Sequence, residues 1–228
     1  MDFSSIPSVS VITTAHNSPS TLRMVGLALI RQQVRPLEWI VADDGSDESV
    51  LQMLKQLAPL LPFPTMHVWQ PHEGFRAARS RNNGAFHARG VVLAFLDQDT
   101  IPDAGWLAAH LEGLGSREVS LGDIIPLSER EVIGLDDAGV GAGDLERRFT
   151  SEHQQRLKRL HRKAIFYALL RRLGLGWKSK PRLRSGNFAL YRTLFFAVNG
   201  FDEAYVGWGQ EDDDLGRRLY AHGARPRI

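Results

Sequence analysis

Asp97 and Asp99 stand one residue apart at the end of an apolar run, Val91-Val92-Leu93-Ala94-Phe95-Leu96. That run, part β-branched and part aromatic, reads as a strand buried on both faces. Side chains alternate along a strand, so the two carboxylates are expected on one side and Gln98 on the other. Like charges so placed repel each other unless something positive lies between them. A hard divalent cation with oxygen ligands, Mn²⁺ or Mg²⁺, suits the pair and can bridge to a substrate phosphate. Taken alone, an Asp-x-Asp is more often an ordinary solvated loop start, here before Ile101-Pro102, because the tripeptide is common.

Two further acidic ends change the weighting. Asp43-Asp44-Gly45-Ser46-Asp47 follows the strand-like stretch Leu37-Glu38-Trp39-Ile40-Val41-Ala42, and Glu211-Asp212-Asp213-Asp214 follows Gly207-Trp208-Gly209-Gln210. Turn and cap chemistry explains acids at such places, and acids at a helix start complement its dipole. Four in a row exceed what a cap needs, and Trp208 between glycines offers an indole on which a sugar ring can stack. Arg76, Arg79 and Arg81 lie ahead of the Asp97 strand. Guanidinium groups suit phosphate oxygens, although a solvated basic helix face has the same composition. Helical spacing puts Arg76 and Arg79 on one face and turns Arg81 away from it.

The elements that must position these groups follow from periodicity. Ser8 to Thr14 reads as a first strand, and a helix carrying Leu22, Val25, Leu29 and Ile30 follows, with Ser18 or Ser20 as cap and Pro19 in its first turn. Leu37 to Ala42 is the second strand, so the unit is βαβ, with parallel strands and a right-handed crossover. A helix from Glu48 to Leu57 is capped by Ser46 or Asp47. Met66 to Trp69 is a short third strand, and the alanines at 77, 78, 85 and 88 mark a helix packed closely on the sheet. Val91 to Leu96 is the fourth strand. Asp103 to Leu114 reads as a helix capped by Asp103, with His110 a helix-face residue rather than a ligand. Ser116 to Gly143 holds a strand around Val119 to Ile125 and a glycine-rich loop, Gly134 to Gly143. Ser185 to Arg192 is a strand, Leu215 and Leu219 share the face of a last helix, and His222 ends that helix before the Gly223 stop. In open α/β sheets ligands bind beyond the carboxyl ends of the strands, where the acids fall.

Composition bounds the class. The chain has 228 residues, with 43% apolar and 24% charged residues, as in a globular domain with a full core. It has no cysteine, which excludes a disulfide framework, a thiolate metal site and a cysteine nucleophile. The first residues carry no basic start or apolar core of a signal peptide, and no run approaches the ~20 apolar residues that span a bilayer; a cytoplasmic protein is expected. Net charge is only +2, but its distribution is uneven. No acid occurs between Glu152 and Asp202, and 145–184 reads as a basic amphipathic helix, with Leu157, Leu160, Ala164, Tyr167 and Leu170 at helical spacing, followed by a basic loop. Such a helix, here 156–172, is either an ordinary surface helix or one that meets an anionic acceptor or the inner face of an anionic membrane.

Together these pieces resemble the family 2 glycosyltransferases and their relatives of the nucleotide-diphospho-sugar-transferase (GT-A) fold. The likeness rests on Val9-Ser10-Val11-Ile12 with His16-Asn17; Val41-Ala42-Asp43-Asp44-Gly45-Ser46; Gly74-Phe75-Arg76 with Arg81-Asn82 and Gly84; Leu96-Asp97-Gln98-Asp99; and Gly200-Phe201-Asp202-Glu203 with Gly207-Trp208-Gly209-Gln210-Glu211-Asp212. The last block also looks like the C-terminal module of galactosyltransferases and chondroitin polymerases. The likeness spans nearly the whole chain except about 116–184.

The resemblance implies an α/β fold with a mostly parallel Rossmann-like sheet flanked by helices. It implies one GT-A domain over 1–228, with a donor half at 1–115 and an acceptor half at 116–228. Thr14, Ala15, His16 and Asn17 would line the nucleotide pocket, and Asp43 or Asp44 would accept from the base, typically uracil N3. Arg76 and Arg81 would lie near the diphosphate. Asp99 would be the more direct metal ligand and Asp97 the nearer to ribose or metal-bound water, with Gln98 on the donor side. Glu211 and Asp212 match the acidic pair near the acceptor, Asp212 as general base, while Trp208, Gly209 and Asn187 would form the acceptor site. The implied reaction is an inverting, metal-dependent transfer from a nucleotide-sugar, UDP before GDP, to a glycan or lipid-linked hydroxyl.

Two departures stand out: Gln98 where many relatives carry a small residue, and His222 as the only histidine after the acidic cluster. Other classes fit less well. A nucleotidyltransferase needs a glycine-rich loop after the first strand, and Thr14-Ala15-His16-Asn17 is not one. A dinucleotide dehydrogenase needs Gly-x-Gly-x-x-Gly after a strand. A nucleic-acid module leaves three acidic ends unexplained, so no nucleic-acid partner is expected. The remaining alternative is a catalytically impaired module of the same fold that binds a nucleotide-sugar or an anionic surface.

Overall fold

The computed structural model describes residues 6–173, 183–207 and 209–228. In chain order its elements are β1 (Val9–Ala15), α1 (Pro19–Ile30), β2 (Glu38–Asp43), α2 (Glu48–Leu57), β3 (Thr65–Trp69), α3 (Ala77–His87), β4 (Val92–Asp97), α4 (Trp106–Leu111), β5 (Glu118–Leu121), α5 (Glu129–Val132), α6 (Asp137–Ala142), α7 (Asp144–Arg147), α8 (Ser151–Arg172), β6 (Asn187–Tyr191), α9 (Arg192–Ala197), α10 (Glu211–Ala221) and β7 (Arg225–Arg227).

The strands form one seven-stranded sheet in the order β3-β2-β1-β4-β6-β5-β7. β1 to β4 pair in parallel, as their βαβ crossovers require. β6 alone runs against them, pairing antiparallel with both β4 and β5. The expected α/β fold with a mostly parallel sheet is therefore present. Two apolar layers sandwich the sheet. One packs α1, α2 and α4 around Trp39, Leu22 and Leu107; the other packs α3, α9 and α10 around Phe95, Phe188, Phe195 and Leu215. Burial on both faces explains the apolar runs Trp39 to Ala42 of β2 and Val92 to Leu96 of β4. Gly84 lets α3 lie close, since a Cβ there would meet Ile12 Cγ2 at 2.7 Å.

Several expected local features differ. Ser18 holds the N-cap position of α1 without a side-chain bond, whereas Asp47 caps α2 by accepting from Ser49 N. The 103–114 helix shortens to α4, because Asp103 spends its carboxylate on the Gly105 amide and the first turn opens after that glycine. The strand sought over 119–125 is β5, ending before Gly122, whose Cα lies against the Asn187 side chain. The glycine-rich stretch 134–143 is no plain loop: Asp136 accepts from Gly139 N and starts α6.

His110 is buried beneath the sheet. Its ring nitrogens face Ser120 Oγ at 2.9 Å and Asn187 Oδ1 at 3.0 Å. Burial, against the pull of the Asn187 bond, pushes its pKa down to about 4. Between pH 6.5 and 4 the unfolded chain therefore takes up a proton that the folded chain refuses, so stability falls as pH drops through that window. The full loss is about 3 kcal/mol, from ~1.4 kcal/mol per unit of displacement. Urea unfolding of wild type and His110→Gln should show a steeper decline between pH 6.5 and 5 for wild type, and equal slopes would refute this role.

Candidate active site

Beyond the carboxyl ends of β1, β2 and β4 opens a cleft of about 950 Å³. Thr14, Ala15, His16, Asp44, Arg81, Asp97, Gln98, Asp99, Gly209, Glu211 and Asp212 line it, together with Phe75, Ala77, Ser80, Ile124, Leu183, Arg184, Ser185, Gly186, Gln210 and Asp213. The three acidic ends thus meet in one place.

Arg81 lies at its centre, 5% exposed. One guanidinium nitrogen donates to Asp97 Oδ1 at 2.9 Å and another reaches Glu211 Oε1 at 3.4 Å. The group also lies over the Phe201 ring, 5.5 Å from its centre. The β1–β4 register sets Thr14 beside Asp97, and its hydroxyl donates to the same Oδ1 at 3.0 Å. Glu211 is 6% exposed, and its Oε2 has no hydrogen-bond partner. Burial and the like charge of Asp213 raise the pKa of half-buried Asp212, outweighing the bond from Asp213 N and the opposing charge of Arg81.

Residues of α3 next to Arg81 fix the surroundings. Ser80 donates to Ala42 O on β2 at 2.7 Å. Asn82 pairs both ways with the Phe201 backbone, at 2.8 and 2.9 Å, and also donates to Glu203. Asn83 donates to Gln70 Oε1, while Gln70 Nε2 donates to Asp44 Oδ1 at 2.7 Å. The loop that delivers the acids to α10 is thereby tied to the helix that delivers Arg81. Arg218 ties it again, pairing with Asp214 and donating to Gly200 O at 2.6 Å.

The structure places the expected site residues unevenly. β4 stops at Asp97, and a turn carries Gln98 and Asp99, with Thr100 N donating to Asp97 O. Strand alternation therefore ends too early to turn Gln98 away. Its amide bonds His16 in both directions, to N at 2.8 Å and to O at 3.2 Å, latching the β1 loop to the β4 loop. Asp99 is exposed in the cleft. Asp44 lines the cleft, but Asp43 does not: it is fully buried, held by His67 at 2.7 Å and Ser46 N at 2.8 Å. Burial raises its pKa, and those bonds outweigh burial to give a net lowering. Asn17 faces the start of α2 instead: its backbone amide donates to Ser46 Oγ and its Oδ1 accepts from the Asp47 amide.

Of the two arginines expected near the diphosphate, Arg81 lines the cleft and Arg76 does not. Arg76 holds the N-cap position of α3: its amide donates to Asp44 Oδ2 at 2.8 Å and its side chain to Glu73 O, outside the lining set. Arg79 pairs with Glu73 at the surface. The face shared by Arg76 and Arg79 is the outer one, and Arg81 is the residue turned inward. Asn187 is likewise outside the lining set. It is buried, with Oδ1 accepting from Trp106 Nε1 at 2.8 Å and Nδ2 donating to Asp123 O. Trp208 lies outside the described residues. His222 forms the exposed C-cap of α10, as its position before Gly223 implied.

Sequence reading missed Arg184, Ser185 and Gly186. Leu96 pairs with Asn187 across β4 and β6, which sets Gly186 opposite Asp97, and Asp97 N donates to Gly186 O at 3.3 Å. A Cβ on Gly186 would sit 2.2 Å from Asp97 Oδ2, so glycine leaves that oxygen its room. Only the strand pairing reveals this, because the two segments lie far apart in sequence.

Comparison with known proteins gives the family and the fold. The model of the family described as "Glycosyl transferase family 2" matches residues 10–192, and that of the "N-terminal domain of galactosyltransferase" matches 176–227. Validoxylamine A glucosyltransferase of Streptomyces hygroscopicus subsp. limoneus is 30% identical over 96% of this chain and 49% of its own. Chondroitin synthase of Escherichia coli is 24% identical over 96% of this chain and 33% of its own. The chain thus spans about half, or less, of the length of these relatives. Among solved structures, the mannosyltransferase PcManGT of Pyrobaculum calidifontis, in complex with GDP-Man and Mn²⁺, superposes with a TM-score of 0.63 at 17% identity, over 98% of this chain and 55% of its own. GalNAc-T7 with UDP, GalNAc and Mn²⁺ gives 0.65 at 18% identity, over 98% and 42%.

Removing the Arg81 charge leaves Asp97 and Glu211 facing each other with no cation. Arg81→Met should cost about 3 kcal/mol, and Arg81→Met with Glu211→Gln distinctly less than the sum of the two single changes. Urea unfolding of the four proteins checks this; strict additivity would mean that Arg81 and Glu211 do not interact.

Proposed function

The chain belongs to glycosyl transferase family 2, and from that premise we propose that it transfers a sugar from a nucleotide-diphospho-sugar, a UDP-sugar, to a glycan or lipid-linked hydroxyl with inversion. The observation that carries the proposal is the convergence of Asp97 and Asp99, Arg81, and the Glu211-Asp212 pair on one cleft. In this reading Asp44, the cleft-lining member of its pair, accepts from the base imide, with Thr14, Ala15 and His16 along the nucleotide. Gln98 holds that wall in place through His16, and Gly209 lies on the acceptor side.

The donor set fits a hard divalent cation. Asp97 Oδ1 is taken by Thr14 and Arg81, while Oδ2 fills the space beside Gly186 and has no part in those bonds, and both Asp97 and Asp99 line the cleft. Among the described residues no cluster of three or more His, Cys, Asp or Glu side chains could hold a metal by itself, so Asp97 and Asp99 are the residues that would hold it. Mn²⁺ or Mg²⁺ held there would supply positive charge to the departing diphosphate.

The protein's own groups carry the remaining steps. Arg81 is near enough to Asp97 to share that charge with the diphosphate oxygens. The acceptor oxygen bonds to the anomeric carbon as the bond from that carbon to the phosphate oxygen breaks. The electron pair leaves with the nucleoside diphosphate, and the acceptor proton passes to Asp212. The raised pKa of Asp212 brings it closer to the working pH of a general base. With one base and no covalent intermediate, the configuration inverts.

Calorimetric titration with UDP and with GDP, each with Mn²⁺ and with EDTA, tests the donor side. One nucleotide should bind only with metal, and Asp99→Ala should lose that binding by at least roughly tenfold; absence of binding to either nucleotide would overturn the proposal. Asp212→Asn should keep donor affinity within about twofold while lowering turnover by at least ~10². An active Asp212→Asn enzyme would remove Asp212 as the base.

A further inference from the structure

The 22-residue helix α8 takes no part in the cleft lining. His153, Leu157, Leu160, Ala164 and Tyr167 form its inward stripe, buried or half-buried. This is the apolar spacing visible in the sequence, so that set is unavailable to an outside surface. A second apolar set points the opposite way. Ile165, Phe166, Leu169 and Leu173 follow at intervals of one, three and four residues, and they are 50%, 57%, 53% and 63% exposed. Continued toward the N-terminus, the same outward face carries exposed Lys158, Arg159 and Arg162. The outer face is therefore basic in its first half and apolar in its second.

A helix segment that is apolar all round is normally covered. We propose that the outward face of α8 seats the protein on an anionic bilayer. Ile165, Phe166, Leu169 and Leu173 enter the boundary between headgroups and acyl chains, and Lys158, Arg159 and Arg162 lie over the lipid phosphates. Charge complementarity selects this occupant. From His153 to Phe201 the chain carries no acid, so a second copy placed on this face by a two-fold axis would set its own basic half against the apolar or basic half of the first. Nucleic acid would meet the charges but leave the four apolar side chains in water. The proposal is independent of the donor chemistry.

Co-sedimentation with phosphatidylcholine vesicles, and with the same vesicles containing phosphatidylglycerol, tests this without any activity assay. The wild-type protein should sediment with the anionic vesicles only, and less so as salt rises. Lys158→Glu/Arg162→Glu and Phe166→Ser/Leu169→Ser should each weaken binding roughly tenfold or more while leaving the thermal midpoint and the UDP titration unchanged, because all four side chains are exposed. Absence of wild-type binding would overturn the proposal, as would equal binding to both vesicle types, or binding unaffected by Phe166→Ser/Leu169→Ser. A concentration-dependent dimer in sedimentation velocity, lost in Phe166→Ser/Leu169→Ser, would assign the face to a second copy instead.

Discussion

A guanidinium almost cut off from water, held between two carboxylates, is the interaction on which the cleft depends. Arg81 joins β4 to the start of α10, elements separated by more than a hundred residues. Its neighbours multiply the effect: Ser80, Asn82 and Asn83 each fix a different element, namely β2, the Phe201 turn and, through Gln70, the Asp44 loop. Four consecutive helical positions sweep most of the way around the axis, so one helix can brace the site in several directions. The charge count stays negative even so. One arginine faces Asp97 and Glu211, while Asp99, Asp212 and Asp213 line the same cleft, and this excess suits a cleft that takes a cation together with an anionic ligand.

Close packing is what makes the bracing possible. α3 reaches the sheet because Gly84 presents no Cβ to Ile12, and Ala78 and Ala85 keep the same contact thin. A bulkier helix would stand off and carry the guanidinium away from Asp97. The aromatic group of Phe95, Phe188, Phe195 and Phe201 then fills the layer on the far side of α3 and closes the cation against the Phe201 ring. The polar centre and the apolar packing are thus one arrangement.

The sequence made the parallel strands, their helices and the three acidic ends legible, because each depends on local periodicity. It could not show which member of a pair faces the cleft. Arg76 and Arg81, expected together near the diphosphate, part because α3 begins at Ala77, leaving Arg76 at the cap, and because a helical wheel does not say which face meets the sheet. Gln98 is turned in by a tight turn that an alternating strand pattern does not contain. Asn187 and Gly186 acquire their roles only from antiparallel pairing with β4. In α8 the legible apolar stripe is the covered one, and the exposed set is hidden among residues that a composition count merges with it.

The order of the sheet bears on how the protein is made. β1 to β4 fall within residues 9–97, each next to a strand already synthesised, so this half can pair as the chain emerges from the ribosome. The central edge of β4 then waits for β6, some ninety residues later, and Arg81 waits longer still for Glu211. Through that interval a largely apolar strand has an unpaired edge beside an arginine balanced by Asp97 alone. The nascent chain is therefore most open to wrong strand pairing, and most in need of a chaperone, between synthesis of β4 and synthesis of β6.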